Sequence, residues 1–335
     1  MMHAKERLKN NVFEYAIALI TLVVVLLIPF YTGLYQVNVF TYYLICAILG
    51  ISIYFIWGIA GIFSFGQAAF MGIGGYAYAI LSKHFDDPSK CLLYAAVAIA
   101  IACAVAAILG YFMFYGGIND VFVGLITMCV TISCQTFMSQ TAGSQWQILG
   151  VALGGDNGLN DIPGLTIGYY RFNELSLFFL LVILVAAFYI VIKIVEHRKF
   201  GYAMLSVREN RTRSELLGYD TAKLQVIVFT IGGGIAALAG VLYCCWGYYI
   251  TPASMSLKAS TIPVVLAAAG GKRSLISVIL FTVLYYILSN YLTSAGADTL
   301  LMLGALLIVV ILVLPQGIFA TIIQKLQGLI QKAEA

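Results

Sequence analysis

Residue types that could carry out chemistry are few in this sequence, and none stands in a catalytic pattern. Gly271 and Lys272 match the end of the phosphate-binding loop G-x-x-x-x-G-K-[ST], but Leu266 replaces its first glycine and Arg273 its hydroxyl residue. Three histidines lack the spacing of a metal site or a catalytic triad: His3, His84 and His197. We therefore predict that the chain is not an enzyme, has no catalytic residue, holds no metal or cofactor, and does not itself hydrolyse ATP.

The seven cysteines almost all fall inside apolar runs and lack metal-ligand spacing, which is typical of small buried residues. The adjacent pair Cys244 and Cys245 leaves a redox role open. An enzyme working inside the membrane would need ionisable side chains near mid-membrane, and the apolar runs carry essentially none. These residues argue against an enzyme that acts inside the membrane.

The elements that would position any functional residue are themselves apolar. Of the 335 residues, 62% are hydrophobic and 10% are charged, and the mean hydropathy is +0.99. This composition provides too little polar surface to cover a soluble globule of this length. We predict an all-α polytopic membrane helical bundle that forms a single transmembrane domain over residues 1–335. The net charge of +4 reflects the orientation of the helices and not nucleic-acid binding.

Apolar runs predict about ten membrane crossings, with some of the helices short or broken. They cover roughly residues 12–30, 37–60, 62–82, 91–115, 120–140, 175–195, 224–248, 257–269, 274–292 and 299–318. With the amino terminus inside, 14 Lys and Arg residues fall on inner segments and 4 on outer segments. Because positive charge gathers on the cytoplasmic side, we expect both termini to be cytoplasmic.

One segment, residues 196–223, resembles water-soluble protein. Its 28 residues carry 10 of the 32 charged side chains, six basic and four acidic. Interleaved Arg and Glu suit a solvated helix, and Gly218 stands where a left-handed cap would end it, so we predict one helix over 201–218. The segment is either a solvated loop between two crossings or a contact surface for a cytoplasmic partner.

Glycine and other small residues are concentrated in the stretch 58–81. Ser64, Ala68 and Gly72 stand four apart, a spacing that lets helices approach closely. The same spacing recurs at Gly232, Ala236 and Gly240. The alternative is a broken helix that lines a solute path together with the proline-interrupted run 257–271, since interrupted helices free backbone groups. The path would then be formed by Ser64, Gly66, Gln67, Gly72, Gly74, Ser260, Thr261 and Pro263.

The longest outer segment is predicted at residues 141–173, an extracytoplasmic loop rich in turn-forming residues. Asp156, Asn157 and Asp161 lie in this loop. They are either docking contacts for a partner on the outer side or residues that keep the loop hydrated, and we leave both interpretations open.

Five separated motifs resemble the permease subunits of high-affinity branched-chain amino acid ABC importers, a family that also includes urea and short-chain amide permeases. The motifs are a Gly-x-x-Ser-x-Gly-Gln-Ala-x-Phe run at 61–70, a Gly-Gly-x-Asn-Gly-Leu run at 154–159, the charged segment at 196–223, a Pro-to-Leu stretch at 252–275 and a Pro-Gln-Gly turn at 315–317. Together they cover about residues 35–320. Their order along the chain is that of the family.

The resemblance assigns the charged segment to coupling with the ATPase. The residues at the family's coupling positions, or beside them on the same segment, are Phe200, Gly201, Arg208, Glu209, Asn210, Arg213, Glu215 and Gly218. We call residues 196–223 the coupling segment.

The resemblance also implies partners and a function. The partners are a second homologous permease subunit, two ATP-binding subunits and an extracytoplasmic solute-binding protein, in the lipid of a bacterial cytoplasmic membrane, with no nucleic acid. The implied function is ATP-driven import of branched-chain amino acids by alternating access. A urea or short-chain amide importer is the alternative within the family. An ATP-independent channel or facilitator is the alternative of another class, and the coupling segment argues against it.

Overall fold

The computed structural model describes residues 2–168, 170–272, 274–294 and 299–313, together with Gly317 and Thr321. The helices in this part of the chain are α1 (Met2–Tyr31), α2 (Leu34–Ile53), α3 (Gln67–Phe85), α4 (Cys91–Tyr115), α5 (Asp120–Ser139), α6 (Glu174–Glu196), α7 (Lys199–Glu209), α8 (Arg211–Leu216), α9 (Thr221–Gly247), α10 (Leu257–Gly270), α11 (Leu275–Ser294) and α12 (Thr299–Val313). Four two-residue strands are β1 (Gln147–Ile148), β2 (Val151–Ala152), β3 (Thr166–Ile167) and β4 (Tyr170–Arg171).

Each of the ten predicted crossings coincides with one helix, namely α1 to α6 and α9 to α12. Seven apolar segments in the described residues are long enough to span a membrane: Glu14–Tyr31, Leu34–Ile59, Pro88–Tyr115, Val121–Ser139, Glu174–Glu196, Thr221–Gly247 and Leu275–Ser294. The helix α10 is apolar but only 14 residues long. The prediction of an all-α polytopic bundle with short helices is therefore confirmed.

The core of the bundle lies where α2, α3, α4 and α9 pack together. Small residues make this contact close. On α4 the buried face repeats every four residues, at Ala98, Ala102, Ala106 and Gly110. In lipid there is little hydrophobic gain from bringing helices together, so dispersion contacts between closely approaching backbones stabilise the bundle. The first helix, α1, lies at the periphery and exposes much of its apolar surface, including Leu19, Ile20 and Val24.

The two ends of the bundle differ in character. One end carries α7 and α8 with their charged side chains, and we call it the basic end. The other carries two antiparallel hairpins, in which Ile148 pairs with Val151 and Ile167 pairs with Tyr170, and we call it the loop end. Since α6 leads from β4 directly to α7, it runs the full distance from the loop end to the basic end.

Candidate functional site

The centre of the molecule contains an interrupted helix. After α2 the chain continues as a π-helical segment, Tyr54–Ile59, and residues 60–66 are not helical before α3 begins at Gln67. We call residues 60–66 the break. The break lies at the start of the stretch 58–81, where the predicted crossings 37–60 and 62–82 meet, and α3 is continuous over the rest of it. The predicted small-residue face is shorter than expected, because Ser64 lies in the break and not on α3 with Ala68 and Gly72.

Hydroxyl groups of two other helices satisfy the backbone of the break. The N–H of Phe65 donates to Thr127 Oγ1 of α5 at 3.0 Å. The carbonyl of Phe65 accepts from Thr131 Oγ1 of α5 at 2.9 Å and from Ser260 Oγ of α10. Lipid offers no hydrogen bonds, so backbone groups freed by a break must find partners inside the protein. These bonds fix the break between α5 and α10.

Gln67 places a polar amide at the start of α3, and its side chain is 0% exposed. Its Oε1 accepts from Ser52 Oγ of α2 at 3.2 Å, whereas its Nε2 has no partner among the described residues. Buried donors without an acceptor are rare in folded proteins, and polar groups within a membrane bundle usually mark a pathway. Chemically, Gln67 offers uncharged hydrogen-bond donors, and none of residues 60–66 has a charged side chain.

The structure brings together some of the predicted path residues and separates others. Ser64, Gly66 and Gln67 cluster around the break with Ser260; the Gly66 N–H donates to Ser64 Oγ at 3.0 Å. The remaining four serve packing or local bonding: Gly72 faces Met255, Gly74 faces Ala237, Thr261 donates to the Leu257 carbonyl, and Pro263 is buried within α10. The role of these residues in a solute path stays a prediction.

Helices α3 and α9 approach so closely that glycine is required between them. A Cβ atom built on Gly240 of α9 would overlap the Met71 carbonyl oxygen, and one built on Gly74 would lie 2.7 Å from the Ala237 backbone. Backbone atoms cannot move aside as a flexible side chain can. The close-packing interpretation of the small residues therefore holds for α3 and α9.

The coupling segment is two helices and not the single helix predicted over 201–218. α7 ends at Glu209, and Asn210 adopts an extended conformation with φ −160° and ψ 103°. The side chain of Asn210 accepts from the Arg213 N–H at 2.8 Å and so caps the new helix α8. The prediction failed at this residue because the cap interrupts an otherwise continuous run of helix-forming residues.

The predicted cap at Gly218 is confirmed, since its φ is +85°. Two other predicted coupling residues are engaged at the base of the segment. A Cβ on Gly201 would overlap the Val195 carbonyl, and Phe200 packs on the core. Gly201 therefore sets the tight corner between α6 and α7.

Ion pairs within α7 and α8 link charged residues of the coupling segment. Glu209 accepts from Arg208 Nη2 at 2.8 Å, and Glu215 Oε1 accepts from Arg211 Nε at 3.1 Å and from Thr221 Oγ1 at 2.6 Å. The Thr221 hydroxyl, with the Arg211 guanidinium, holds the pKa of Glu215 below its usual range. These bonds order the segment. The contact of Glu209, Arg213 or Glu215 with an ATPase stays a prediction.

One side chain joins the coupling segment to the residues before the break. Arg208 Nη1 donates to the Gly58 carbonyl in the π-helical segment. Gly61, with φ +77°, leaves room for this side chain, since a Cβ there would lie 2.6 Å from Arg208 Cγ. The interrupted helix and the coupling segment are thus in direct contact.

The outer surface of the coupling segment also exposes apolar side chains that the sequence analysis did not select. Leu216 and Leu217 are 84% and 67% exposed, and Tyr202 and Tyr219 are exposed as well. Large apolar residues grouped on a charged, water-facing segment mark a protein interaction surface. The adjacent Leu-Leu pair just before a helix cap was the available signal.

The loop end presents the three predicted docking residues to solvent. Asp156, Asn157 and Asp161 are all exposed. Beneath them the loop is anchored: Leu159 pairs with Ile250 through the backbone, and Lys83 Nζ donates to the Asn160 carbonyl at 2.6 Å. The geometry presents the three side chains on an ordered surface, and their docking role stays a prediction.

Sequence reasoning missed an ionic cluster at the basic end. Lys193 Nζ of α6 lies 2.8 Å from Glu14 Oε2 of α1 and 3.2 Å from Glu196 Oε2. Tyr54 donates to Glu196 Oε1 at 2.5 Å, and Ser274 donates to Glu14 Oε1 at 2.7 Å. The only sequence signal was the presence of Glu14 and Lys193 in apolar helices, because their pairing spans 179 positions. The cluster connects α1, α6, the π-helical segment and the residue before α11.

The sequence analysis also missed Thr127 and Thr131. Their spacing of four placed both hydroxyls on one face of α5 and was a usable signal. As for metals, the described residues contain no group of three or more His, Cys, Asp or Glu side chains that could hold an ion. Arg273 and the turn residues Pro315 and Gln316 lie outside the described residues.

An all-α bundle with seven membrane-length segments and an interrupted central helix is the architecture of a polytopic membrane permease. The chain belongs to the family described as branched-chain amino acid transport system / permease component, whose model matches residues 35–312. It is therefore a multi-pass transport subunit.

Two curated relatives extend over most of the chain. The high-affinity branched-chain amino acid transport system permease protein LivM of Salmonella typhimurium is 23% identical over 321 residues, which cover 89% of this chain and 73% of the relative. LivM of Escherichia coli (strain K12) is 23% identical over 314 residues, which cover 87% of this chain and 71% of the relative. No solved structure is significantly similar to the chain.

Proposed function

We propose that the chain is one permease subunit of an ATP-driven importer that moves branched-chain amino acids across the bacterial cytoplasmic membrane. Its family supports the permease assignment, and the names of the two LivM relatives support the solute. The uncharged donors at Gln67 suit a zwitterionic solute better than an ion, since the break carries no fixed charge.

The observation that carries this proposal is the contact between Arg208 and Gly58. A displacement of α7 is transmitted through this side chain to the π-helical segment and so to the break. The break itself bonds to α5 and α10 through Phe65, so those helices shift with it. Alternating access then follows when the break re-pairs in a second arrangement.

The partners occupy opposite ends of the bundle in this proposal. The ATP-binding subunits contact the exposed side chains Leu216, Leu217 and Tyr202 at the basic end, which is cytoplasmic along with both termini. A solute-binding protein docks on Asp156, Asn157 and Asp161 at the loop end. A second permease subunit completes the path.

The test uses the complete complex, with both permeases, the ATP-binding subunits and the binding protein, in proteoliposomes. Leu216→Glu puts a charge into the proposed contact, and we expect leucine-stimulated ATP hydrolysis to fall about tenfold or more, as for a central interface residue. Leu216→Met keeps an apolar side chain at the same position and is the matched control, expected to retain activity.

Full stimulated hydrolysis by the Leu216→Glu complex, at normal subunit stoichiometry, would show that this surface does not contact the ATPase. Uptake of labelled leucine, isoleucine and valine is measured in the same vesicles against labelled urea. Uptake of urea in place of leucine would show that the proposed solute is wrong. It would not contradict the proposed contact with the ATP-binding subunits.

A further inference from the structure

An apolar cavity of about 240 Å³ lies between α1 and the helices on which α1 packs. On α1 it extends from Tyr15 to Val25, and its other walls are formed by α6 and α11 with one contribution from α2. Ten residues of helix rise about 15 Å, which is half of the roughly 30 Å hydrocarbon core of a bilayer. The cavity therefore has the length of one leaflet, counted from the basic end.

A second cavity of about 380 Å³ adjoins the first at the basic end. Tyr15 and Tyr189 line both, so the two spaces meet at these rings. The polar groups that line the second cavity include Lys193, His197 and Arg198, and no carboxylate is among its described lining residues. An apolar channel thus opens into a basic mouth, with tyrosines at the boundary as at a membrane interface.

The nearest acidic groups lie behind this basic wall. Glu14 and Glu196 both bind Lys193, and their other oxygens accept from Ser274 and Tyr54 on the bundle side. Neither carboxylate lines the mouth, whereas Arg198 does and is exposed. An anionic group in the mouth would therefore meet the exposed Arg198 first, whereas Lys193 is already paired with both carboxylates.

Tyr189 lines the junction of the two cavities. Tyr189 is only 8% exposed, and its hydroxyl has no hydrogen-bond partner among the described residues. A buried hydroxyl without a partner costs free energy, but this oxygen is closed off from both cavities, so the binding site is formed by the apolar walls and the basic mouth.

We propose that the two cavities bind one anionic glycerophospholipid from the leaflet at the basic end. An acyl chain fills the apolar cavity, and the phosphate lies at Arg198, with His197 and Lys193 beside it. Basic pockets between membrane helices on one side are typical of anionic headgroup sites. One wall of the site is α1, which precedes the family-matched residues 35–312.

The dimensions favour an acyl chain over a partner helix. A helix with its side chains is about 10 Å across, so 240 Å³ would hold only about 3 Å of its length, or roughly two residues. A hydrocarbon chain about 4 Å across would extend on the order of 20 Å in the same volume. Only the second length spans a leaflet.

The test measures lipid binding to the delipidated full chain in detergent by native mass spectrometry, which requires no transport activity. The probes are phosphatidylglycerol, phosphatidylcholine with the same acyl chains, and glycerol 3-phosphate. We expect one phosphatidylglycerol per chain, at least about fivefold weaker binding of phosphatidylcholine, and no binding of glycerol 3-phosphate, which lacks the chain.

Neighbouring residues provide matched controls. Arg198→Gln is expected to weaken phosphatidylglycerol about fivefold, and Lys199→Gln, next to it but outside the mouth, less than about twofold. Ala186→Phe fills the apolar cavity and is expected to abolish binding of phosphatidylglycerol. Ala187→Phe, on the exposed side of the same helix, is expected to leave this binding unchanged.

Equal affinity for the two lipids, equal effects of Ala186→Phe and Ala187→Phe, or binding of glycerol 3-phosphate as tight as that of the lipid would each overturn the proposal. So would loss of the bound lipid on formation of a dimer, because a helix of a second copy would then occupy the site.

Discussion

The break and the coupling segment each interrupt a run of helix and so free backbone groups. The freed groups are bonded by distant residues in the break and by a neighbouring residue in the coupling segment. In the break, the partners of Phe65 lie 62, 66 and 195 positions away in sequence. In the coupling segment, the Arg213 N–H is capped by Asn210, three positions away.

The difference follows from the surroundings. Inside the membrane no water is available to bond the freed backbone groups. Distant helices must therefore supply the hydrogen-bond partners, and the break becomes part of the core. A break in water needs only a local cap, and the segment remains free to respond to a partner. Substitutions in the first region should therefore destabilise the whole bundle, and those in the second only the segment.

The largest expected effect is at the contact that holds the interrupted helix against α9. Gly240→Leu would drive a side chain into the Met71 carbonyl and separate the two helices. We expect a loss of about 3 kcal/mol or more of stability, at the upper end for overpacking, because backbone atoms must move. Thermal unfolding in detergent measures it. The control is Gly304→Leu, because no atom lies within 4 Å of a Cβ built on Gly304. Equal melting temperatures of the two variants would contradict the close approach of α3 and α9.

An intermediate effect is expected at the hydroxyl that holds the break. Thr127→Val keeps the shape of the side chain but leaves the Phe65 N–H without its acceptor, at a cost of about 1–3 kcal/mol. Hydrogen exchange over residues 60–66 should accelerate. Thr230→Val is the control, because that hydroxyl donates within its own helix to the Val226 carbonyl. Unchanged exchange in the break would show that Thr127 does not support it.

The smallest effect is expected in the coupling segment and depends on pH. Because the pKa of Glu215 is lowered, its contribution to local order is complete above the unfolded value of about 4.3 and is lost as pH falls through the folded pKa. A nitroxide at Thr212→Cys should become mobile only below about pH 4.3. With Glu215→Gln added, it should be mobile at pH 7 and insensitive to pH. Identical titrations would refute the role of the carboxylate.

The sequence predicted the helices well because apolar length is a local property, and it located Gly218 because a cap has a local signature. The spacing of Thr127 and Thr131 marked them, but the sequence could not show that they bond to Phe65 or that Glu14 pairs with Lys193, because both depend on how distant helices pack. The split at Asn210 was accessible in principle, since Asn is a preferred N-cap, but the surrounding helix-forming residues outweighed it. Exposure of Leu216 had one signal, the Leu-Leu pair just before the Gly218 cap, which the sequence analysis did not use.

The ionic cluster at the basic end also constrains the order of events during synthesis. Glu14 and Lys193 are separated by 179 positions, and chains grow at about 5–20 residues per second, so the pair cannot form until on the order of 10–40 s after Glu14 has been made. During that interval Glu14 must remain at the membrane surface, since an unpaired carboxylate in lipid is costly. Helix α1 therefore takes its final place only after α6 has been inserted.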